Sequence, residues 1–245
     1  LMFVDFIGVC MDQLVNNAAK MRYMFGGQVK VPFTMMTRIG AGFGAAAQHS
    51  ESYYSIFSHF PGLKGVVPSD AYTAKGLLAA CIRDDDPIVF FEHKGLYGMS
   101  GPVPEEPYVL PIGKARTIRE GTDVTLVGIS KMTWTANDAA TELAKEGISC
   151  EVIDLLSVSP IDYDHINESV RRTHRLVVVD EDTPVCSMAS EICSRVAEEV
   201  FDYLDAPPSR VTAPHTPVPY SRAMENEYMP NETRVINTVK KLLNR

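Results

Sequence analysis

The second half of the chain alternates between short apolar runs and longer amphipathic runs, and this alternation limits the fold more than any other feature. Apolar residues, many of them β-branched, fill positions 123–130, 150–156 and 175–179, and helix-like spacing follows each run. Strands that run parallel need a crossover between them, which is usually a helix. The pattern therefore predicts an α/β fold in which mainly parallel sheets are flanked by helices.

The first half has the same α/β character but a less regular spacing. Strands are predicted at 31–37 and 87–92, where apolar β-formers are concentrated. A helix is predicted to begin after Ser69 as its N-cap and to end near Arg83.

A proline-rich segment separates the two halves. Residues 98–111 contain four prolines and two glycines, a composition that is typical of a linker. We therefore expect two domains, at 1–112 and 113–245, each long enough to bury a core of its own.

Charge and cysteine usage exclude some classes of protein. The 245 residues include 23 Lys and Arg against 31 Asp and Glu, a net charge of −8 without a basic stripe, so nucleic acid is not an expected partner. The five cysteines form no CxxC pair, as in proteins of a reducing compartment, and we expect the cytoplasm. No apolar run reaches the ~18–20 residues that cross a bilayer, so no membrane contact is expected.

A glycine-rich loop follows the first predicted strand. The pattern Gly40-x-Gly42-x-Gly44 is compatible with a nucleotide-binding loop, and an acid, Asp70, comes later in the chain. The spacing is not G-x-G-x-x-G, however, and the residues after the loop form no apolar helical stripe. A tight turn that needs glycine for its backbone angles is the competing interpretation.

The loop leads to a histidine that is a candidate for catalysis. His49 follows a run of small residues, and an imidazole with a pKa near neutrality suits proton transfer. A structural histidine, hydrogen-bonded in the fold, is the alternative. His93, directly after a predicted strand, is a secondary candidate.

Two acidic triplets are open to two interpretations each. Asp84 to Asp86 lie between a helix and a strand, where they form either a solvated turn or a turn that binds a cation. Asp180 to Asp182 end a strand, where they are either solvated or a site for a basic partner.

A set of short motifs extends along nearly the whole chain. They are Phe3-Val-Asp-Phe6, Met11-Asp-Gln13, Asn16-Asn17-Ala-Ala-Lys20, Val31-Pro32 to Arg38, the glycine loop, Ala47-Gln48-His49-Ser50, Pro61-Gly-Leu-Lys64, Ala74-Lys75-Gly-Leu77, Ile82-Arg83-Asp84 with Pro87, Leu110-Pro-Ile-Gly-Lys114-Ala115, Glu146-Gly147, Cys150-Glu151-Val152, Asp205-Ala-Pro and Pro217-x-Pro-Tyr220. In this order they resemble the beta subunits of pyruvate, branched-chain 2-oxoacid and acetoin dehydrogenases. No single motif is decisive, but the set is specific.

The resemblance implies a fold, a cofactor and partners. It implies a thiamine-diphosphate pyrimidine-binding domain, here only partial, followed by a transketolase C-terminal-like domain. The cofactor would lie between alpha and beta subunits of an α2β2 assembly, with its diphosphate and Mg2+ held mainly by the alpha subunit. The acyl product would pass to the lipoyl group of an acyltransferase core. Members from eukaryotes reside in the mitochondrial matrix.

The resemblance also implies residue roles. Phe6 would lie against the aminopyrimidine ring of the cofactor, and His49 would be the catalytic histidine near the substrate. Some members bind K+ at positions that match Cys81, Ile82, Asp84 and Asp86, although an Asp stands at position 86 where Asn is frequent.

One departure concerns the start of the chain. The glutamate that activates the cofactor in this family lies upstream of Phe6, and the sequence begins within what resembles a strand. We therefore expect this chain to be part of a longer polypeptide.

Two other functions remain open from the sequence alone. The chain resembles, less closely, half of another thiamine enzyme of the transketolase or deoxyxylulose-phosphate synthase type. It could also be a non-catalytic α/β subunit that only binds a partner.

Overall fold

The computed structural model describes residues 1–244 of the chain. Its strands are β1 (Thr34–Ile39), β2 (Lys64–Val66), β3 (Ile88–His93), β4 (Arg116–Arg119), β5 (Val124–Gly128), β6 (Cys150–Asp154), β7 (Ser157–Ser159), β8 (Leu176–Val179) and β9 (Ser209–Val211). Its α-helices are α1 (Ala19–Met24), α2 (Tyr54–Ser58), α3 (Ala71–Arg83), α4 (Met132–Lys145), α5 (Tyr163–Thr173), α6 (Met188–Glu199), α7 (Arg222–Tyr228) and α8 (Glu232–Leu242).

The irregular helical elements complete this list. They are a 3-10 helix at Val4–Val9, a π-helix at Gln13–Ala18 that continues into α1, and 3-10 turns at Lys94–Leu96 and Phe201–Tyr203. No helix in residues 1–244 combines the length and the apolarity that a bilayer crossing needs.

The strands form two mainly parallel sheets, which confirms the predicted fold class. The first sheet has the order β1-β3-β2-β7, and the second has the order β4-β6-β5-β8-β9. The antiparallel pairs are β2 with β7 and β4 with β6, both at a sheet edge. Strand β7 belongs to the second half of the chain but pairs with the first sheet, with Gly65 opposite Ser159. The two halves are therefore joined through a shared sheet as well as through the proline-rich segment.

The helix that follows β2 begins one residue later than predicted. Its N-cap is Asp70, whose carboxylate accepts a hydrogen bond from the backbone N–H of Thr73, while the Thr73 hydroxyl accepts one from the Asp70 N–H. The prediction of Ser69 as N-cap was wrong, because its hydroxyl is directed instead at the buried carboxylate of Asp154. Both residue types suit the position, and tertiary contacts decided between them.

One hydrophobic core extends through both sheets. Phe57 of α2 and Phe91 of β3 pack edge to face with 5.3 Å between ring centroids, and the same cluster continues to Val127, Ile153 and Val178 of the second sheet. Burial of each such side chain contributes about 1.5–3 kcal/mol. The shared core fixes the two sheets relative to each other.

The carboxyl ends of three strands meet at one edge of this arrangement. Strand β1 ends at Ile39 and leads into the glycine loop, β3 ends at His93, and β8 leads into the acidic residues 180–182. The carboxyl edge of parallel sheets is where α/β proteins usually bind ligands, because loops from neighbouring strands converge there. The candidate histidines His49 and His93 and the glycine loop lie at this edge.

Candidate active site

The structure brings two residues singled out by the resemblance into one cluster. The imidazole of His49 packs edge to face against Phe6, with 5.3 Å between ring centroids, and against Phe3 at 4.7 Å. Asp5 accepts hydrogen bonds from the backbone N–H groups of Ser50 (3.2 Å) and Glu51 (3.3 Å). These bonds tie the N-terminal 3-10 helix to the segment that carries the histidine.

His49 has an accessible imidazole. The side chain is partly exposed, and within residues 1–244 no hydrogen bond engages either ring nitrogen. Its backbone is held instead, since the Lys94 ammonium donates to the His49 carbonyl oxygen and lies 5.1 Å from the centroid of the Phe3 ring. A histidine with a fixed backbone and free ring nitrogens suits proton transfer better than a structural role.

Lys94 is an ammonium group in the interior. Burial lowers the pKa of this lysine, while the nearby carboxylates of Asp5, Glu181 and Glu225 act in the opposite direction. A lysine is rarely buried unless acids accompany it. These acids therefore belong to the electrostatic environment of the His49 segment.

The glycine loop is a tight turn that binds carboxylates of its own chain. Gly40, Gly42 and Gly44 have φ angles of +98°, +102° and +67°, which favour glycine. The Ala41 N–H donates to Glu181 at 2.6 Å, and the N–H groups of Gly42 and Gly44 donate to Glu225. The loop N–H groups are thus already bonded to anions, which counts against the nucleotide interpretation.

His93, the secondary candidate, bridges the two halves. Its Nε2 lies 2.8 Å from a carboxylate oxygen of Glu181, and its Nδ1 accepts a hydrogen bond from the Gly95 N–H at 3.0 Å. The hydrogen bond to Nδ1 assigns the proton to Nε2, which then donates to Glu181. A Cβ atom at Gly40 would collide with this ring, so glycine is required there. Both members of the pair are buried, which indicates a structural bridge.

The acidic triplet at 180–182 is neither solvated nor a partner site, and both sequence interpretations were wrong. Asp180 is buried and accepts hydrogen bonds from the Tyr54 hydroxyl and from the Ala189 N–H. Asp182 accepts one from the Ser55 hydroxyl at 2.7 Å. Burial, followed by the charge of Asp180, raises the pKa of Asp182 to about 7. The two hydroxyl partners, Tyr54 and Ser55, come from the first half of the chain, so no local pattern in the sequence signals this burial.

Glu51 is a further titratable group of the site that sequence reasoning missed. It follows His49 by two residues, and its side chain is largely buried between Asp5 and Glu181. Burial, followed by these two charges, raises the pKa of Glu51 to about 7. Its place next to the candidate histidine was the one available signal.

The candidate potassium ligands lie at the other end of the first sheet. Asp84 and Asp86 precede β3, whereas the His49 cluster lies beyond its carboxyl end. The Lys64 ammonium is 2.8 Å from Asp84 and 3.1 Å from Asp86, and the Arg22 guanidinium is 2.6 Å from Asp86. The Cys81 carbonyl accepts the Asp84 N–H, and Ile82 is exposed. Residues 1–244 contain no group of three or more His, Cys, Asp or Glu side chains arranged to hold a metal.

Comparison with protein families matches both halves of the chain. Residues 1–100 match the family described as transketolase, pyrimidine binding domain, and residues 113–235 match transketolase, C-terminal domain.

Individual relatives cover almost the whole chain. The beta subunit of acetoin:2,6-dichlorophenolindophenol oxidoreductase from Bacillus subtilis is 53% identical over 99% of this chain and 71% of its own length. The subunit of the same name from Cupriavidus necator is 49% identical over 99% of this chain and 72% of its own length. Pyruvate dehydrogenase E1 component subunit beta-1, mitochondrial, from Arabidopsis thaliana is 45% identical over 98% of this chain and 67% of its own length.

A solved structure matches the fold. A split-gene transketolase described as an inactive beta4 tetramer superposes with a TM-score of 0.81, covering 99% of this chain and 74% of its own. At 22% sequence identity, this likeness supports the architecture alone.

Proposed function

Because this chain belongs to the family of pyruvate and acetoin dehydrogenase E1 beta subunits, which depend on thiamine diphosphate, we propose that it is such a subunit. The reaction would be the oxidative cleavage of a 2-oxoacid or of acetoin, with acyl transfer to the lipoyl group of an acyltransferase. The observation that carries the proposal is the His49 cluster at the carboxyl edge of the first sheet, beside an exposed aromatic ring. We propose domain limits of 1–112 and 113–245, close to the matched ranges.

The residues present fit the pyrimidine end of the cofactor. Phe6 is 43% exposed although its ring touches His49, so part of the ring is open for contact with a flat heterocycle. Thiamine diphosphate, when bound, supplies the electron sink for cleavage of the bond next to the carbonyl, with loss of carbon dioxide from a 2-oxoacid or of acetaldehyde from acetoin. We propose, from the resemblance, that Mg2+ is held mainly by the alpha subunit; within residues 1–244 no three His, Cys, Asp or Glu side chains are arranged to hold a metal.

His49 is the proposed catalytic residue. Its two ring nitrogens are free to give and take a proton, and its backbone is fixed by Lys94 and by the bonds of the following residues to Asp5. A positioned imidazole contributes typically ~10²–10⁴-fold to the rate of a proton transfer. The ring would donate a proton to the substrate oxygen or to the departing lipoyl sulfur.

An alpha subunit is the proposed partner, in an α2β2 assembly that docks on an acyltransferase core. The N-terminal helical segment, which carries Phe6, also exposes Val9, Tyr23, Met24 and Phe25. Exposed apolar side chains in such number are typical of a surface that another subunit covers.

Potassium binding by Cys81, Ile82, Asp84 and Asp86 stays a prediction from the resemblance. The two carboxylates are neutralised by Lys64 and Arg22, so as side-chain ligands they do not fit an additional cation.

The proposal is tested with the full-length polypeptide and its cognate alpha subunit. Turnover of acetoin, pyruvate and branched-chain 2-oxoacids is measured with 2,6-dichlorophenolindophenol as electron acceptor, with and without thiamine diphosphate. Acetoin is tested first, because the acetoin subunits at 53% and 49% identity exceed the pyruvate subunit at 45%. Cofactor-dependent turnover of one of these substrates is expected.

The role of His49 is tested by His49→Ala, with the exposed His215→Ala as a matched control. We expect kcat to fall ~10²-fold or more in the first variant, since general acid–base catalysis is lost, and to be unchanged in the second. Equal activity of His49→Ala and His215→Ala would remove His49 from the mechanism. If the protein neither pairs with an alpha subunit nor turns over any of the substrates, the proposal fails. The alternative, a non-catalytic α/β subunit that binds a different partner, would then be the better description.

A further inference from the structure

A carboxylate from the second half of the chain occupies the cradle formed by the glycine loop. The Gly42 N–H donates to Oε1 of Glu225 at 2.7 Å, and the Gly44 N–H donates to Oε2 at 2.9 Å and to Oε1 at 3.2 Å. Glu225 is fully buried. Successive N–H groups in such a turn form a concave site for an anion, and here a side chain of the same protein fills it.

The short helix α7 that carries Glu225 holds the loop by further contacts. The Arg222 guanidinium donates to the Gly42 carbonyl oxygen at 3.1 Å. Tyr228 packs in a small apolar cluster with Ala41, and the Met229 sulfur lies close to Gly42. Helix α7 therefore bonds both the N–H and the carbonyl side of one glycine, which is more than a passing surface contact.

The loop leads directly to the candidate catalytic histidine. Gly44 precedes His49 by five residues, and the intervening turn is closed by a hydrogen bond from the His49 N–H to the Ala46 carbonyl at 3.2 Å. Glycine has more backbone freedom than any other residue, so three glycines in five positions do not hold one conformation by themselves. An external constraint has to select it, and Glu225 bonds the last two of these glycines.

We propose that Glu225 is a positioning residue for His49, because its carboxylate fixes the glycine loop that carries the histidine. The proposal rests on the function proposed above. A residue in the second half of the chain would then control the geometry of the loop in the first half that leads to His49. Glu225 itself does not touch the reacting atoms, and it acts through the loop.

The test compares Glu225→Ala and Glu225→Gln with the control Glu227→Ala, an exposed glutamate of the same helix. All are made in the full-length protein assembled with its alpha subunit. Glu225→Gln keeps one acceptor oxygen but turns an amide NH2 toward a backbone N–H. We expect kcat to fall ~10- to 100-fold in Glu225→Ala with little change in KM, because a misplacement of about 1 Å costs on that order. Glu225→Gln should lie between it and the control.

Rescue by formate separates positioning from general damage. Formate is a small carboxylate that fits the space left in Glu225→Ala. It can accept hydrogen bonds from the same N–H groups of Gly42 and Gly44. We expect added formate to restore kcat in Glu225→Ala but to have no effect on Glu225→Gln, where the space is filled, or on Glu227→Ala. A Glu225→Gln variant with unchanged kcat, or a folded Glu225→Ala variant that formate does not restore, would overturn the proposal.

Hydrogen exchange followed by mass spectrometry gives a readout that needs no turnover. Exchange of residues 40–49 should become faster in both Glu225 variants and stay unchanged in Glu227→Ala. If the wild type turned over no substrate but exchange accelerated in both Glu225 variants, the proposed function would fail, while the proposal that Glu225 fixes the glycine loop would stand. Unchanged exchange in Glu225→Gln would overturn the proposal that Glu225 fixes the loop, whatever the activity. This outcome can be read even if Glu225→Ala does not fold.

Discussion

The buried bridge between the two halves makes a quantitative prediction for Glu181→Gln. The carboxylate accepts hydrogen bonds from the Ala41 N–H at 2.6 Å and from Nε2 of His93 at 2.8 Å, with side-chain exposures of 3% for Glu181 and 2% for His93. Glutamine has the same shape, but only one of its two terminal atoms can accept. One buried donor therefore faces an NH2 group and is left without an acceptor.

The magnitude follows from the bonds that change. A hydrogen bond to a charged group contributes ~1.5–3 kcal/mol and a neutral one ~1 kcal/mol, and a buried donor left unpaired costs ~1–3 kcal/mol. We therefore expect the free energy of unfolding to fall by about 2–4 kcal/mol in Glu181→Gln. For a protein of this size such a loss lowers Tm by roughly 5–15 °C.

The assay is urea unfolding, together with Tm by calorimetry, on the purified full-length protein. Glu120→Gln is the control, because it makes the same chemical change at an exposed position. A Tm loss in Glu181→Gln no larger than that in Glu120→Gln would refute the reasoning. It would mean that the carboxylate does not carry these two hydrogen bonds in solution.

Two further predictions concern titration and ions. The pKa of Glu51 is raised to about 7 by burial and by neighbouring acids, so its carboxyl binds a proton more tightly in the folded state than in the unfolded state. Stability from this group is therefore present below pH ~4.5 and is lost as pH rises toward 7. Measured by urea unfolding between pH 5 and 8, the free energy of unfolding should fall less steeply with pH in Glu51→Gln than in the wild type. Parallel curves for the two proteins would contradict the assignment. Since Lys64 and Arg22 already neutralise Asp84 and Asp86, Tm should be equal in KCl and NaCl of the same concentration. A rise specific to K+ would instead favour an ion held by the carbonyls near Ile82.

The sequence predicted the repeating part of the fold well, because hydrophobic periodicity reports burial directly. It missed β4 and β7, which are too short for a period to show, and it missed α7, which lies between prolines. Short elements of this kind form because a neighbour pairs with them. Strand β7, for example, exists through its bonds to β2.

The site shows the same division between local and tertiary information. Phe6 and His49 came from motif resemblance, and the structure brings their rings together, while their catalytic and binding roles stay predictions. Glu225 was not found, since it follows Gly42 by more than 180 positions and stands in a polar stretch without a motif. The burial of Asp180 was also invisible, because the Tyr54 hydroxyl that meets it belongs to the other half of the chain.

The pairing of β7 with β2 has a consequence for biosynthesis. A ribosome adds ~5–20 residues per second, and about 90 residues separate Val66 from Ser157, so β2 waits ~5–20 seconds for its partner to be made. During that interval β2 is an open edge strand, and open edges are sites of mistaken association. The first sheet of this protein is finished only after the chain of β4, β5 and β6 has been synthesised, so the emerging N-terminal half has to be kept apart from other nascent chains until then.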